Sequence, residues 1–365
     1  MADIPEPLAS IPFYPIRYDK PSPIHVFGSQ RQWPCNVHIK REDQSSPAVC
    51  CGNKYRKLEY VIPDLQRATP AVTTIVTEGG LQSNHAAQTA GVAAMLGMEC
   101  VLLLDEKAGG LSTAASPEAF RSAGNQQIYK LLGADIRVGR GPQDKGTVLR
   151  QLTADGKVPY FIPSGASTHP LGGLGYARCA FEIVAQEKEM SLPGTGRYDY
   201  IFVACGSGST IGGLAAGFRL HGKLASQANS QSKLPERQLV GVMVMDKPGF
   251  EKQVEVIART AAAKVGLSGD HMHIHNVRLV GDFVHPGYGV FDEKIEGTVQ
   301  RFLREDQVLL DPVYSGKAAR SMSEWIDSGL LAEDSRQHGH QEISKVNVLF
   351  IHTGGQTVLS AYAKA

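Results

Sequence analysis

Short apolar, β-branched runs alternate along the chain with longer stretches whose apolar positions recur every three to four residues. TTIVTEGG (73–80) reads as a buried strand ending in a glycine turn, and SNHAAQTAGVAAMLG (83–97) as a helix with Ser83 as its N-cap. ECVLLLDE (99–106) predicts the next strand, NQQIYKLLGA (125–134) a helix and DIRVGR (135–140) another strand. Further on, YIFVACGSGST (200–210) is a strand running into a Gly-rich turn. QLVGVMVM (238–245) and KVNVLFIHTGG (345–355) are two more apolar runs that stop at turn signals. Strands alternating with helices predict an α/β fold with parallel strands covered on both faces. The pattern divides into a compact inserted block, residues 63–180, and a larger half made of 1–62 and 181–365. LASQANSQSKLPERQ (224–238) and EDSRQHGHQE (333–342) carry no apolar stripe and predict solvated loops.

Composition removes several function classes. With 37 Lys and Arg against 36 Asp and Glu, the net charge of +1 leaves no basic face for nucleic acid or an anionic membrane. No run approaches 18 apolar residues, and the first residues lack the basic-then-apolar order of a secretory signal. The six cysteines show no CxxC spacing and no disulfide framework, so reduced thiols and a cytoplasmic location are expected. His271, His273 and His275 alternate as metal ligands can, but no carboxylate motif accompanies them, and no metal site is assigned there.

Ligands of open parallel sheets sit outside the carboxyl ends of the strands. TEGGLQSN, ACGSGST, HTGG and the loop CGNKYRK therefore converge on one expected crevice. The turn 206–213, GSGSTIGG, offers several backbone N–H groups to a phosphate where a helix begins. It lacks the Lys-Ser/Thr of a Walker loop. No acidic residue follows about twenty positions on to hold a ribose, which argues against a nicotinamide oxidoreductase. Lys54, beside Arg56, Lys57 and Glu59, reads on its own as a lysine on a solvated helix face.

A longer match changes that reading. GNKYRKLEYVIPDLQ and GGLQSNHAAQTAGVAAMLGMECVLLL resemble the family of 1-aminocyclopropane-1-carboxylate (ACC) deaminase and D-cysteine desulfhydrase. The likeness continues through PSGASTHPLGGLGY, ACGSGSTIGGL, HPGYGV, DPVYSGKA and FIHTGG. It implies a pyridoxal 5′-phosphate (PLP) enzyme of fold type II, tryptophan-synthase-β-like, with two open twisted, mostly parallel sheets flanked by helices. By position Lys54 matches the lysine that binds the cofactor covalently, and Asn84 the asparagine beside its phenolic oxygen. Gly206, Ser207, Gly208, Ser209 and Thr210 match the phosphate cradle, and Ser315 the residue at the ring nitrogen. Ser83, Asn84 and His85 match the segment that receives the substrate carboxylate, and Tyr288 and Tyr314 the two tyrosines at the reacting face. Thr353 belongs to the same substrate pocket. The resemblance also implies a homodimer.

Three positions separate the branches. Deaminases carry Glu, Leu and Gln where this chain has Ser315, Thr353 and His85, and all three fall on the desulfhydrase side. A carboxylate at the ring nitrogen keeps it protonated and strengthens the electron sink. Ring opening has no good leaving group and needs that sink, whereas expelling sulfide needs it less. The expectation is therefore β-elimination of D-cysteine to pyruvate, ammonia and hydrogen sulfide. ACC deamination to 2-oxobutanoate, or a PLP lyase or racemase acting on another amino acid, are the alternatives.

Overall fold

The structure is a computed structural model describing residues 3–111, 114, 116–141, 143–228, 234–268 and 276–363. The elements run β1 (Ile24–Val26), β2 (Asn36–Arg41), α1 (Lys54–Gln66), β3 (Thr74–Gly80), α2 (Asn84–Met95) and β4 (Glu99–Asp105). There follow α3 (Pro117–Ser122), α4 (Asn125–Leu131), β5 (Asp135–Gly139), α5 (Lys145–Ala154), β6 (Pro159–Ile162) and α6 (Leu174–Glu189). The remainder comprises β7 (Tyr200–Cys205), α7 (Ser209–Ala228), β8 (Gln238–Met243), α8 (Phe250–Lys264), β9 (Val277–Val280), α9 (Glu293–Asp306), α10 (Ser315–Asp327), α11 (Leu330–Gln337) and β10 (Asn347–His352).

Two sheets result. One has the order β1-β2-β10-β7-β8-β9 and the other β5-β4-β3-β6. Every pair is parallel except β1 on β2. The central strands are apolar without interruption because each face has its own core. Along β7, Tyr200, Phe202 and Ala204 enter one cluster, while Ile201, Val203 and Cys205 enter the other. In the smaller sheet Leu102 and Leu104 face α2, and Val101 and Leu103 face the opposite layer.

Helix starts and stops follow local chemistry. The Ser83 hydroxyl accepts from the Ala86 N–H at 3.2 Å, a cap worth about 1 kcal/mol, and α2 ends before Gly97 at φ +67°. Two sequence expectations are corrected. Residues 333–337 of the expected loop 333–342 belong to α11, and residues 224–228 are the last turn of α7. The reason in α11 is that its buried positions include polar ones. Asp334 accepts from Tyr200 Oη at 2.7 Å and from Arg278 at 2.5 Å, so no apolar stripe is needed there. His271, His273 and His275 lie outside the described residues. Among the described residues no helix is long and apolar enough to cross a membrane.

Candidate active site

The turns after β3, β7 and β10 and the loop before α1 meet at a cavity of about 430 Å³. Two glycines let the loop carrying Lys54 lie directly on the turn after β10. A Cβ on Gly52 would stand 2.7 Å from the Thr353 carbonyl, and one on Gly354 (φ +81°) 2.5 Å from the Cys51 carbonyl. The Asn53 N–H completes the junction, donating to Thr353 O at 3.1 Å.

Lys54, Ser83, Asn84, His85, Gly206, Ser207, Gly208, Thr210, Tyr288, Tyr314 and Thr353 all line this cavity. Ser209 and Ser315 do not. Both are fully buried behind the lining. Ser209 Oγ bonds Gly165 O at 3.2 Å and Ser167 at 3.1 Å. Ser315 Oγ donates to Asp311 Oδ1 at 2.6 Å and accepts from the Asp311 N–H at 2.8 Å.

Helix α1 is not a solvated face. Arg56 is completely buried between Glu42 and Glu182, with four contacts of 2.5 to 2.9 Å, and Lys40 joins Glu182 at 2.6 Å. Both carboxylates lie below the usual range. Burial alone would raise them, but the Arg56 and Lys40 cations outweigh it. This buried network fixes the first turn of α1, and with it Lys54.

Lys54 is half-buried, with part of its surface open to the cavity. Burial pulls its ammonium down to about 8, against the opposing pull of Asp311. Its Nζ donates to Asn53 Oδ1 at 2.7 Å and stands 5.8 Å from the centre of the Tyr314 ring. Lys57, one helical turn on, is 1 % exposed and also lines the cavity. Its ammonium makes no hydrogen bond or ion pair among the described residues, and burial, then Lys54, hold it well below the usual lysine value. His85 is 3 % exposed, and neither ring nitrogen makes a well-formed hydrogen bond. Burial, Lys54 and Lys57 push it well below the usual histidine value, against a nearby Pro163 carbonyl, so it is neutral.

On the facing wall Tyr288 and Tyr314 join their hydroxyls at 2.5 Å. Burial raises both. Their mutual hydrogen bond opposes the rise at Tyr288 and adds to it at Tyr314; either hydroxyl can be the donor. The segment bearing Tyr288 is held from beneath by Lys317, whose ammonium donates to Val284 O at 2.9 Å and Gly287 O at 2.7 Å.

Sequence reasoning missed Lys57, Asp311 and Lys317. Lys57 was detectable, because position i+3 from Lys54 shares its helix face. The other two act through backbone and hydroxyl contacts that leave no pattern in the sequence.

The family model described as "Pyridoxal-phosphate dependent enzyme" matches residues 18–354. The chain belongs to that family. ACC deaminase of Mesorhizobium japonicum is 33 % identical over 333 residues, covering 89 % of this chain and 88 % of its own. That of Cyberlindnera saturnus is 32 % identical over 363 residues, covering 96 % and 95 %. A solved ACC deaminase homologue superposes with a TM-score of 0.76 at 25 % identity, covering 96 % of this chain and 94 % of its own.

The site fits the cofactor of this PLP family. A buried lysine with no countercharge, Lys57, which a neighbouring anion would hold protonated, together with the backbone N–H groups of a glycine turn at a helix start, suits a phosphate dianion. A lysine of lowered pKa within the same cavity suits an aldehyde.

Proposed function

We propose that the chain releases ammonia from a small α-amino acid, with ACC as the first substrate and D-cysteine as the second. PLP, when bound, supplies the electron sink that labilises bonds at Cα of the amino acid. The observation that carries the reading is Lys54, largely neutral above pH 8, set across one cavity from a tyrosine pair sharing a short hydrogen bond. In this reading Lys54 holds the cofactor and, once displaced by substrate, serves as a base. The start of α2, with Ser83, Asn84 and His85, receives the substrate carboxylate, where the helix dipole favours an anion. Tyr288 is the group that takes or returns a proton at the reacting carbon, with Tyr314 sharing its hydrogen bond.

The order of the two substrates rests on two considerations. Relatives that cover nearly the whole chain are ACC deaminases. The argument against ring opening also loses force at Ser315. Its single proton is committed to the Asp311 carboxylate, so a ring nitrogen brought against it would meet an acceptor rather than a donor. Such a hydroxyl supports a protonated ring nitrogen as a carboxylate does, though less strongly. D-Cysteine keeps its place through Thr353 and His85, the two desulfhydrase-type residues that line the cavity.

The test incubates the enzyme with ACC, D-cysteine, L-cysteine and D-serine and scores keto acid and sulfide. ACC turnover to 2-oxobutanoate supports the first reading; pyruvate with stoichiometric sulfide from D-cysteine alone moves the assignment to the second. No keto acid from any of the four, with PLP bound, would sink both. The expected homodimer is checked by sedimentation of the full chain.

A further inference from the structure

Asn84 carries an amide into the cavity, and an amide has two faces of opposite character. Which one the ligand meets is decided outside the cavity. Asn84 Oδ1 accepts from Asn125 Nδ2 at 2.8 Å, while Asn84 Nδ2 has no partner among the described residues. Asn125 is fully buried, and its own amide is saturated. Its Nδ2 also donates to Gln82 O at 3.0 Å, and its Oδ1 accepts from Thr357 Oγ1 at 2.6 Å. Turning the Asn125 amide over would set its oxygen against two other acceptors, Gln82 O and Asn84 Oδ1. Behind Asn84, Gly355 leaves the necessary room, since a Cβ there would lie 2.7 Å from Asn84 Nδ2.

We infer that Asn125, oriented by the Gln82 carbonyl and completed by the Thr357 hydroxyl, is a positioning residue that makes Asn84 present N–H donors rather than an acceptor to the cavity. This rests on the reading above, in which Asn84 meets the phenolic oxygen of PLP. The donor face suits an anionic oxygen and resists its protonation. Thr357 lies in the 3₁₀ segment Gln356–Tyr362, so a residue far along the chain completes the contacts of the amide that orients a group at the start of α2.

The experiment reconstitutes the full chain with PLP and reads the dissociation constant and the pH titration of the visible band. Asn125→Asp is nearly isosteric, but its carboxylate accepts from both Thr357 and Asn84 Nδ2, which turns the Asn84 oxygen toward the ligand. The expected result is PLP binding weaker by about tenfold or more, the scale of one mispaired buried group. The visible-band pKa should move in the direction that Asn84→Ala moves it. Thr357→Val should shift both readouts the same way, and Thr357→Ser should restore them. An Asn125→Asp protein with unchanged affinity and unchanged band titration overturns the inference. If that variant fails to fold, an Asn125→Ala protein with both readouts unchanged overturns it equally, since it removes the donor to Asn84 Oδ1 altogether. Failure of the wild-type chain to bind PLP, or an unaltered visible band in Lys54→Ala, would instead refute the underlying reading.

Discussion

The neutral form of Lys54 attacks an aldehyde, so the pH at which cofactor capture saturates measures its environment. At a pKa of about 8, about a tenth of the amine is neutral at pH 7. At the usual value near 10.4, only about 0.04 % would be. Burial therefore raises the reactive fraction by roughly 250-fold. Stopped-flow mixing of apoenzyme with PLP, followed in the near-visible, should show a rate rising almost tenfold per pH unit below pH 7.5. It should level off above about pH 8. A rate that keeps climbing through pH 9.5 would refute the argument, because an exposed lysine behaves that way. The same shift has a cost in stability. The folded pKa lies below the unfolded one, so the penalty is full at pH values below about 8 and fades as pH rises toward 10.4. Lys54→Met apoprotein should thus be more stable than wild type at pH 7, by at most about 3 kcal/mol, and equal to it near pH 11.

Three further outcomes follow from named contacts. Lys57→Ala should weaken PLP about tenfold or more while leaving the affinity for pyridoxal, which lacks the phosphate, nearly unchanged in equilibrium titrations. Lys317→Met frees the Val284 and Gly287 carbonyls and should loosen the Tyr288 segment, lowering kcat more than it raises KM. Faster amide exchange over 284–290 should accompany that change. Arg56→Met leaves Glu42 and Glu182 buried without their shared cation and should cost about 3–5 kcal/mol. Those carboxylates stabilise the fold above their unfolded pKa values and lose that contribution as pH falls through the depressed folded ones. Acid unfolding of Arg56→Met, followed by circular dichroism, should therefore occur at higher pH than that of wild type.

The strand–helix alternation was legible because β4, β7 and β10 are largely apolar on both faces, and β3, β7 and β10 run into glycine turns. Ser83 was legible as a cap for the same local reason. What the sequence could not reveal was which charges are inside. Arg56, Lys57 and Glu59 look like a solvated face; Arg56 and Glu59 are buried because their partners Glu42, Glu182 and Arg17 come from distant segments, and Lys57 is buried with no partner among the described residues. Helix α11 was hidden for a related reason, its buried Asp334 serving Tyr200 and Arg278. Ser315 was read as a neutral hydroxyl. Only the contact with Asp311 shows that its proton is already committed.

The position of β10 bears on how the protein is made. It lies between β2 and β7 at the middle of the larger sheet, and both partners precede it in the chain, β2 by some three hundred residues. A ribosome therefore delivers β2, β7, β8 and β9 long before the strand that joins β2 to the rest. Until residues 347–352 emerge, the edges of β2 and β7 that pair with β10 stay open, and the cavity lacks Thr353. Such long-range pairing is slow and leaves strand edges exposed to other chains. The nascent protein should accordingly depend on chaperones over this interval, and substitutions that weaken β10 should reduce soluble yield before they reduce activity per folded molecule.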